Sequence, residues 1–199
     1  MIVIDTPRSG NRVHWNYFLA LERDLELSSR YVEFSPANMA AYSIEFAHVL
    51  LAASSEVDVL AKLLCERLAP TAPRGNIDQY RAVLAGELPG LVTEAVFAPR
   101  YSLEIVPWDT WANSVNPPWW RSYNNVKHER DSCFSEATLE NALTSMAALL
   151  TLVVQYYSLT LAPPGEQRLD IKLTTASLQP QSSLLRLANE SYVHAIMFG

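Results

Sequence analysis

The segment from residue 119 to residue 130 carries the densest cluster of hydrogen-bond donors in the chain. It contains Arg121, Asn124, Asn125 and His128. On an α-helix, the side chains of Arg121 and His128 would differ by about 20° around the axis and by about 10 Å along it. Asn125 would lie close to the same stripe, with Asn124 on its flank. The spacing therefore predicts an arginine, an amide and an imidazole in one row over two helical turns.

This row of side chains has the chemistry of a phosphodiester site. A guanidinium binds phosphate through two parallel hydrogen bonds, and an imidazole, whose ordinary pKa is near neutrality, can move a proton to or from an oxygen. Such a site needs no metal ion and no cofactor. The hypothesis makes Arg121 and His128 catalytic. It assigns substrate binding to the neighbouring polar and basic side chains, which are Asn124, Asn125, Lys127 and Arg130.

Two other interpretations of this segment stay open. Its basic side chains can form a solvated helix face while the aromatic residues between them pack inward, and Asn124 can be a buried amide with satisfied hydrogen bonds. The run Pro117–Trp120 can instead dock a partner protein or a second copy of the chain, because tryptophan is a frequent interface anchor. The other three histidines are predicted to be ordinary surface or packing residues; they are His14, His48 and His194.

Composition narrows the class of protein. Of the 199 residues, 49% are hydrophobic and 18% are charged, which predicts a single folded domain over residues 1–199 rather than a disordered chain. Because the net charge is −6, any nucleic-acid site must be a local basic patch. The chain has no His-Glu-x-x-His or Cys-x-x-Cys motif, which disfavours zinc chemistry. Two cysteines are too few for a disulfide scaffold, and we expect a reducing, cytoplasmic location.

The row must be positioned by helices and strands, and the sequence predicts a mainly α fold with a small antiparallel β element. Ser35 and Pro36 are typical of a helix start, and they open a long stretch without proline or glycine. Short connections favour packing of the last two helices against this long helix as a bundle. The predicted helices cover residues 15–28, 36–69, 77–84, 119–130 and 135–159. Alternating apolar residues predict paired strands within 96–105 and 168–175.

Residues 142–162 form a run of 21 residues without a charged side chain, which is long enough to cross a bilayer as a helix. Polar residues interrupt the run, and no cluster of lysine or arginine flanks it. A helix that is packed on all sides has the same composition. We therefore predict a core helix and no membrane association.

The residues around Arg121 and His128 resemble the HEPN superfamily of helical bundles. Many members are metal-independent endoribonucleases, marked by an arginine, four to six residues and a histidine on a late helix. Six residues separate the pair in this chain. The segment 52–65 is similar to the acidic helix that precedes the motif in such proteins. The resemblance covers residues 40–157, with 70–107 as an inserted loop and β segment.

The resemblance implies a homodimer in which two Arg/His pairs share one cleft and cut RNA by attack of its own 2′-hydroxyl. Arg121 would stabilise the phosphate and His128 would act as acid and base, in a bacterial phage-defence or toxin system. The family pattern favours Asn, Asp or His directly after the arginine, where this chain has Ser122. Because many members are non-catalytic, a dimerisation or interaction module is the alternative function.

An acidic residue of the long helix could support the site. Asp58 lies on the apolar stripe of that helix and could hold Arg121 or His128 in place, as could Glu56. The alternative is a helix-surface pair of Asp58 with Lys62, which is four residues further along.

Overall fold

Helices make up most of residues 11–192, the part of the chain that the computed structural model describes. Helix content is 64% and a small three-stranded antiparallel sheet is present, so the predicted mainly α fold with a small β element is confirmed. His194 lies outside the described residues. The helices are α1 (Val13–Ser28), α2 (Ile44–Leu68), α3 (Ile77–Glu87), α4 (Pro118–His128), α5 (Arg130–Cys133), α6 (Leu139–Thr160) and α7 (Ile171–Ser177). The strands are β1 (Val96–Ala98), β2 (Leu103–Ile105) and β3 (Arg186–Leu187).

The two longest helices, α2 and α6, lie side by side and run in the same direction. Directly before them, Tyr42 and Thr138 form an isolated antiparallel bridge, and Leu139 donates its backbone N–H to the carbonyl of Ala41 at 2.8 Å. Both helices therefore begin at the same end of the bundle. The helices α1, α2, α4 and α7 pack around α6, and most side chains of α6 are buried.

Helix α6 contains most of the long uncharged run. Within residues 11–192 it is the one helix that is long and apolar enough to span a membrane, with a mean hydropathy of 1.4 in its most apolar window. Of that window, 78% is buried inside the bundle. The apolar surface of α6 therefore faces other helices, which is the environment of a core helix.

The bridge between Tyr42 and Thr138 also explains why two predicted helix starts are wrong. Extended backbone at these positions interrupts any helix that begins earlier in the chain. Ser35 precedes a single 3₁₀ turn, and Ser135 lies within another. The residues that cap the helices are instead Ser43 and Thr138. Each accepts a hydrogen bond from the backbone N–H three residues later, at 3.1 Å and 3.2 Å.

The strand β1 forms the centre of the sheet and is antiparallel to both β2 and β3. The β structure predicted within 96–105 is confirmed, but its two strands pair with each other as a hairpin, with Pro99 in the 3₁₀ turn between them. The predicted strand over 168–175 is wrong. Asp170 caps α7 by accepting from the backbone N–H of Lys172 at 2.8 Å, which stabilises a helix there. The third strand has only two residues, too few to show an alternating pattern.

Glu22 is 1% exposed in α1 and anchors the segment before β3. Its carboxylate accepts hydrogen bonds from the backbone N–H groups of Ser183 (3.1 Å), Leu184 (3.2 Å) and Leu185 (2.8 Å), and from the hydroxyl of Ser182. Buried charges need such compensation, and no cation pairs with this carboxylate in the described part of the chain. Charge-assisted hydrogen bonds therefore hold the C-terminal segment, residues 182–185, against α1.

The two cysteines differ in their surroundings, and we expect them to differ in reactivity. Cys65 is fully buried in α2, and burial raises the pKa of its thiol to about 11, whereas Cys133 is partly exposed. Because the thiolate is the reactive form, a thiol reagent at pH 8 is expected to label one cysteine in the native protein and two in denaturant. Cys133→Ser should abolish native labelling, and rapid labelling of two thiols in the native protein would contradict this prediction.

Candidate functional site

Helix α4 carries the predicted row of side chains and matches the predicted helix 119–130 except at its end. Pro118 occupies the first helical position, where a missing N–H costs nothing. The helix ends at His128, and Arg130 begins the next short helix. One face of α4 packs inward onto α2 and α6; its buried residues are Trp119, Trp120, Ser122, Tyr123 and Val126. The apolar spacing therefore turns the basic face outward.

Arg121 and His128 are both exposed on that outer face, two helical turns apart. Neither side chain has a hydrogen-bond or ion-pair partner among residues 11–192. The same holds for the guanidinium of Arg130, which is exposed in α5. A phosphate group approaching this face would therefore meet guanidinium groups that form no ion pair within residues 11–192, with the acidic residues Glu129 and Asp131 on either side of Arg130 in the sequence.

Lys127 is exposed on the same helix but makes an internal contact. Its ammonium donates to the hydroxyl of Tyr123 at 3.2 Å and lies 5.3 Å from the centre of that ring. Tyr123 itself is buried, so it does not line the exposed face. Lys127 can still contribute charge to a bound phosphate, but binding through its ammonium would compete with the contact to tyrosine.

The two asparagines have separate roles. Asn124 is half-buried and donates to the carbonyl of Trp120 at 2.8 Å, one turn earlier in α4, so it is not the fully buried amide of the alternative interpretation. Asn125 donates to both carboxylate oxygens of Glu136, at 3.0 Å and 3.1 Å. A substrate contact through the NH₂ group of Asn125 would need its bonds to Glu136 to be exchanged, whereas Asn124 keeps a second N–H for such a contact.

Glu136 is the residue near the row that sequence reasoning missed. It lies in the 3₁₀ turn just before α6 and fixes Asn125 against that turn. With a helix predicted to start at residue 135, Glu136 would lie in the first turn of that helix, and nothing in the sequence predicts that it contacts α4. The short connection between the two helices is the one sequence feature that brings them close together. The contact joins the last turn of α4 to the start of α6, which requires the two helices to run antiparallel.

Asp58 does not form the predicted bond to Arg121 or His128. Its carboxylate accepts from the ammonium of Lys62 and from the hydroxyl of Tyr80, the latter at 2.7 Å. Burial and this hydrogen bond raise the pKa of Tyr80. The alternative pair of Asp58 and Lys62 is therefore the one observed, with α3 supplying a further donor.

Glu56 is likewise engaged away from α4. Its Oε1 lies 2.5 Å from Nδ1 of His14, and both side chains are mostly buried between α1 and α2. The ring of His14 also packs edge-on against Tyr156 at 4.9 Å. His14 is therefore a packing histidine with a carboxylate partner, whereas His48 is exposed on α2.

The run Pro117–Trp120 does not form an exposed docking surface. Trp119 is 2% exposed and Trp120 is 9% exposed. The indole N–H of Trp119 donates to the carbonyl of Pro107 at 3.0 Å, and its ring packs edge-on against Trp108 at 5.3 Å. The interpretation of this run as an interface anchor is therefore wrong, because the rings belong to the core of their own chain.

A cavity of about 660 Å³ lies at the sheet, away from α4. Its lining combines apolar residues of the hairpin with charged side chains of both signs, namely Glu104, Arg186 and Glu190. No residue of α4 lines it. Within residues 11–192, no group of three or more His, Cys, Asp or Glu side chains is placed to hold a metal ion.

Comparison of the chain with protein-family models, with curated proteins and with solved structures gave no match.

Proposed function

We propose that the protein is a HEPN-like, metal-independent endoribonuclease, in which Arg121 holds the scissile phosphate and His128 moves the proton. One observation supports this above the others: both side chains are exposed on one face of α4 and have no carboxylate partner in the described residues. A guanidinium already paired with an acid would have to exchange that partner for phosphate. Here no such exchange is required.

In the proposed reaction, a neutral imidazole removes the proton of a ribose 2′-hydroxyl, and the oxygen attacks the adjacent phosphorus. The bond from phosphorus to the 5′-oxygen breaks, and an imidazolium protonates the leaving oxygen. The products are a 2′,3′-cyclic phosphate and a 5′-hydroxyl. Arg121 stabilises the negative charge that builds up on the phosphoryl oxygens.

One chain supplies one such histidine, while the reaction uses a base and an acid. We therefore propose a homodimer that brings two copies of His128 to the same phosphodiester, with RNA as the further partner. The proposed setting is a bacterial phage-defence or toxin system in the cytoplasm. Because the whole chain has a charge of −6, RNA binding depends on the local basic face and is expected to weaken with added salt.

The test is cleavage of mixed cellular RNA by the purified protein in excess chelator. His128→Ala is expected to lower the rate about 10²- to 10⁴-fold, because a positioned acid–base group contributes that much. Arg121→Ala should also lose most of the rate. His48→Ala is the matched control, because His48 is an exposed histidine on another helix, and it should cleave as the parent protein does.

Cleavage products ending in 2′,3′-cyclic phosphate would support the mechanism. Equal cleavage by the parent protein and by His128→Ala would contradict the assignment. If no variant cuts RNA while sedimentation shows a stable dimer, the alternative function holds, which is a non-catalytic HEPN-like dimerisation module.

A further inference from the structure

An exposed aromatic ring lies at the end of the bundle where α4 ends. Tyr42 is 55% exposed, although it belongs to the bridge that joins the starts of α2 and α6. An exposed tyrosine on a mobile loop would have no defined position. The backbone of Tyr42 is held by hydrogen bonds on both sides, from Leu139 to Ala41 and from Ser43 to Ala137.

The ring of Tyr42 is supported on one side only. It packs perpendicular to Phe134, with ring centres 5.9 Å apart, and Phe134 is packed against the core. This contact favours one orientation of the tyrosine ring, while more than half of the residue stays in solvent. A rigid ring with an exposed surface is the geometry on which a nucleobase can stack.

Two contacts connect Tyr42 to the basic face. Phe134 opens the 3₁₀ turn 134–136, and Glu136 at the end of that turn binds Asn125 in the last full turn of α4. His128 lies three residues beyond Asn125 on the same helix. The aromatic ring therefore lies at the end of the bundle where α4 ends at His128 and where α5 begins with Arg130.

We propose that Tyr42 stacks an unpaired base next to the phosphodiester held by Arg121 and His128, so that the substrate of the site is single-stranded RNA. This proposal rests on the proposed function. Phosphate contacts on the basic face carry no information about strand state. A stacking surface distinguishes single strands from duplexes, because a base inside a duplex is already stacked on its neighbours and only an unpaired base has a free face.

The proposal is tested by binding of a fluorescent, unstructured single-stranded RNA oligonucleotide to the His128→Ala protein, in which cleavage does not interfere. Adding Tyr42→Ala is expected to weaken binding about tenfold, in line with the loss of one stacked base. Tyr42→Phe keeps the aromatic face and should bind as the background protein does. Tyr17→Ala, which removes a partly exposed tyrosine on α1, is the matched control. Binding of an RNA duplex should not respond to any of these changes.

The outcomes separate this proposal from the proposed function. If the protein cuts RNA in a His128-dependent way but Tyr42→Ala binds the oligonucleotide unchanged, the stacking role is overturned and the ribonuclease assignment stands. If Tyr42→Phe weakens binding as much as alanine does, stacking is also overturned, because the aromatic face is still present. If the protein neither binds nor cuts RNA, both proposals fail.

Discussion

Glu22→Ala is expected to lower the free energy of unfolding by at least about 2 kcal/mol. The substitution leaves the buried backbone N–H groups of Leu184 and Leu185 without an acceptor, together with the partly buried N–H of Ser183. Each buried donor left unsatisfied costs about 1–3 kcal/mol. Glu22→Gln can keep its amide oxygen at the position of Oε1, which accepts from Leu184 and Leu185, and turns its NH₂ group only towards the N–H of Ser183, so its cost should be smaller than that of alanine.

Denaturant unfolding followed by circular dichroism measures this effect. Glu26→Gln is the matched control, one turn along α1. The carboxylate of Glu26 is about one-third exposed and contacts Ser183 Oγ at 3.1 Å and Arg100 at 3.6 Å, so its replacement should cost less than about 1 kcal/mol. If Glu22→Ala were as mild as Glu26→Gln, the buried carboxylate would not be holding the C-terminal segment.

Trp119→Ala is expected to cost about 3–5 kcal/mol of stability, because it removes a large buried ring from a well-packed core. The ring of Trp119 contacts Trp108 at 5.3 Å and Trp120 at 5.7 Å. Trp119→Phe retains much of the buried volume but leaves the carbonyl of Pro107 without its donor. It should therefore fall between the parent protein and the alanine variant.

Thermal and denaturant unfolding of the two variants, beside Val115→Ala, tests this prediction. Val115 lies two residues before Pro117 and is 54% exposed, so its truncation should change stability by less than about 0.5 kcal/mol. A Trp119→Ala protein that kept its stability but lost its oligomeric state would restore the interpretation of this run as an interface anchor.

Local sequence signals placed α4 well, but they misplaced the starts of two helices and predicted a strand where α7 forms. The apolar spacing and the proline at the start of α4 were enough to place that helix within two residues at each end. The starts of α2 and α6 were wrong because the bridge between Tyr42 and Thr138 joins positions 96 residues apart, and no local pattern records it. The prediction of a strand within 168–175 was wrong for a local reason, because the helix cap formed by Asp170 favours a helix more than the weak alternation of apolar residues favours a strand.

In the candidate site, too, some features follow from the local sequence and others depend on distant contacts. The exposure of Arg121 and His128 on one face follows from helical periodicity and from the apolar residues between them, so it was predictable. The partner of Asn125 was not, because Glu136 reaches it only through the turn that precedes α6. Asp58 had three plausible partners in the sequence, and a fourth, Tyr80, lies in another helix, 22 residues further along the chain. Pairing between elements is decided by packing, which a single sequence does not display.

The central position of α6 has a consequence for how the chain is made. A ribosome synthesises α1 to α5 before α6, although α1, α2 and α4 all pack against α6. Until α6 has left the exit tunnel, the parts of these earlier helices that pack on α6 have no native surface to cover them, although α1 and α4 can already pack on α2. The segment that Glu22 anchors is synthesised later still. The nascent chain therefore cannot complete this core before residues 182–185 have been synthesised, and until then it presents apolar segments of the kind that chaperones bind.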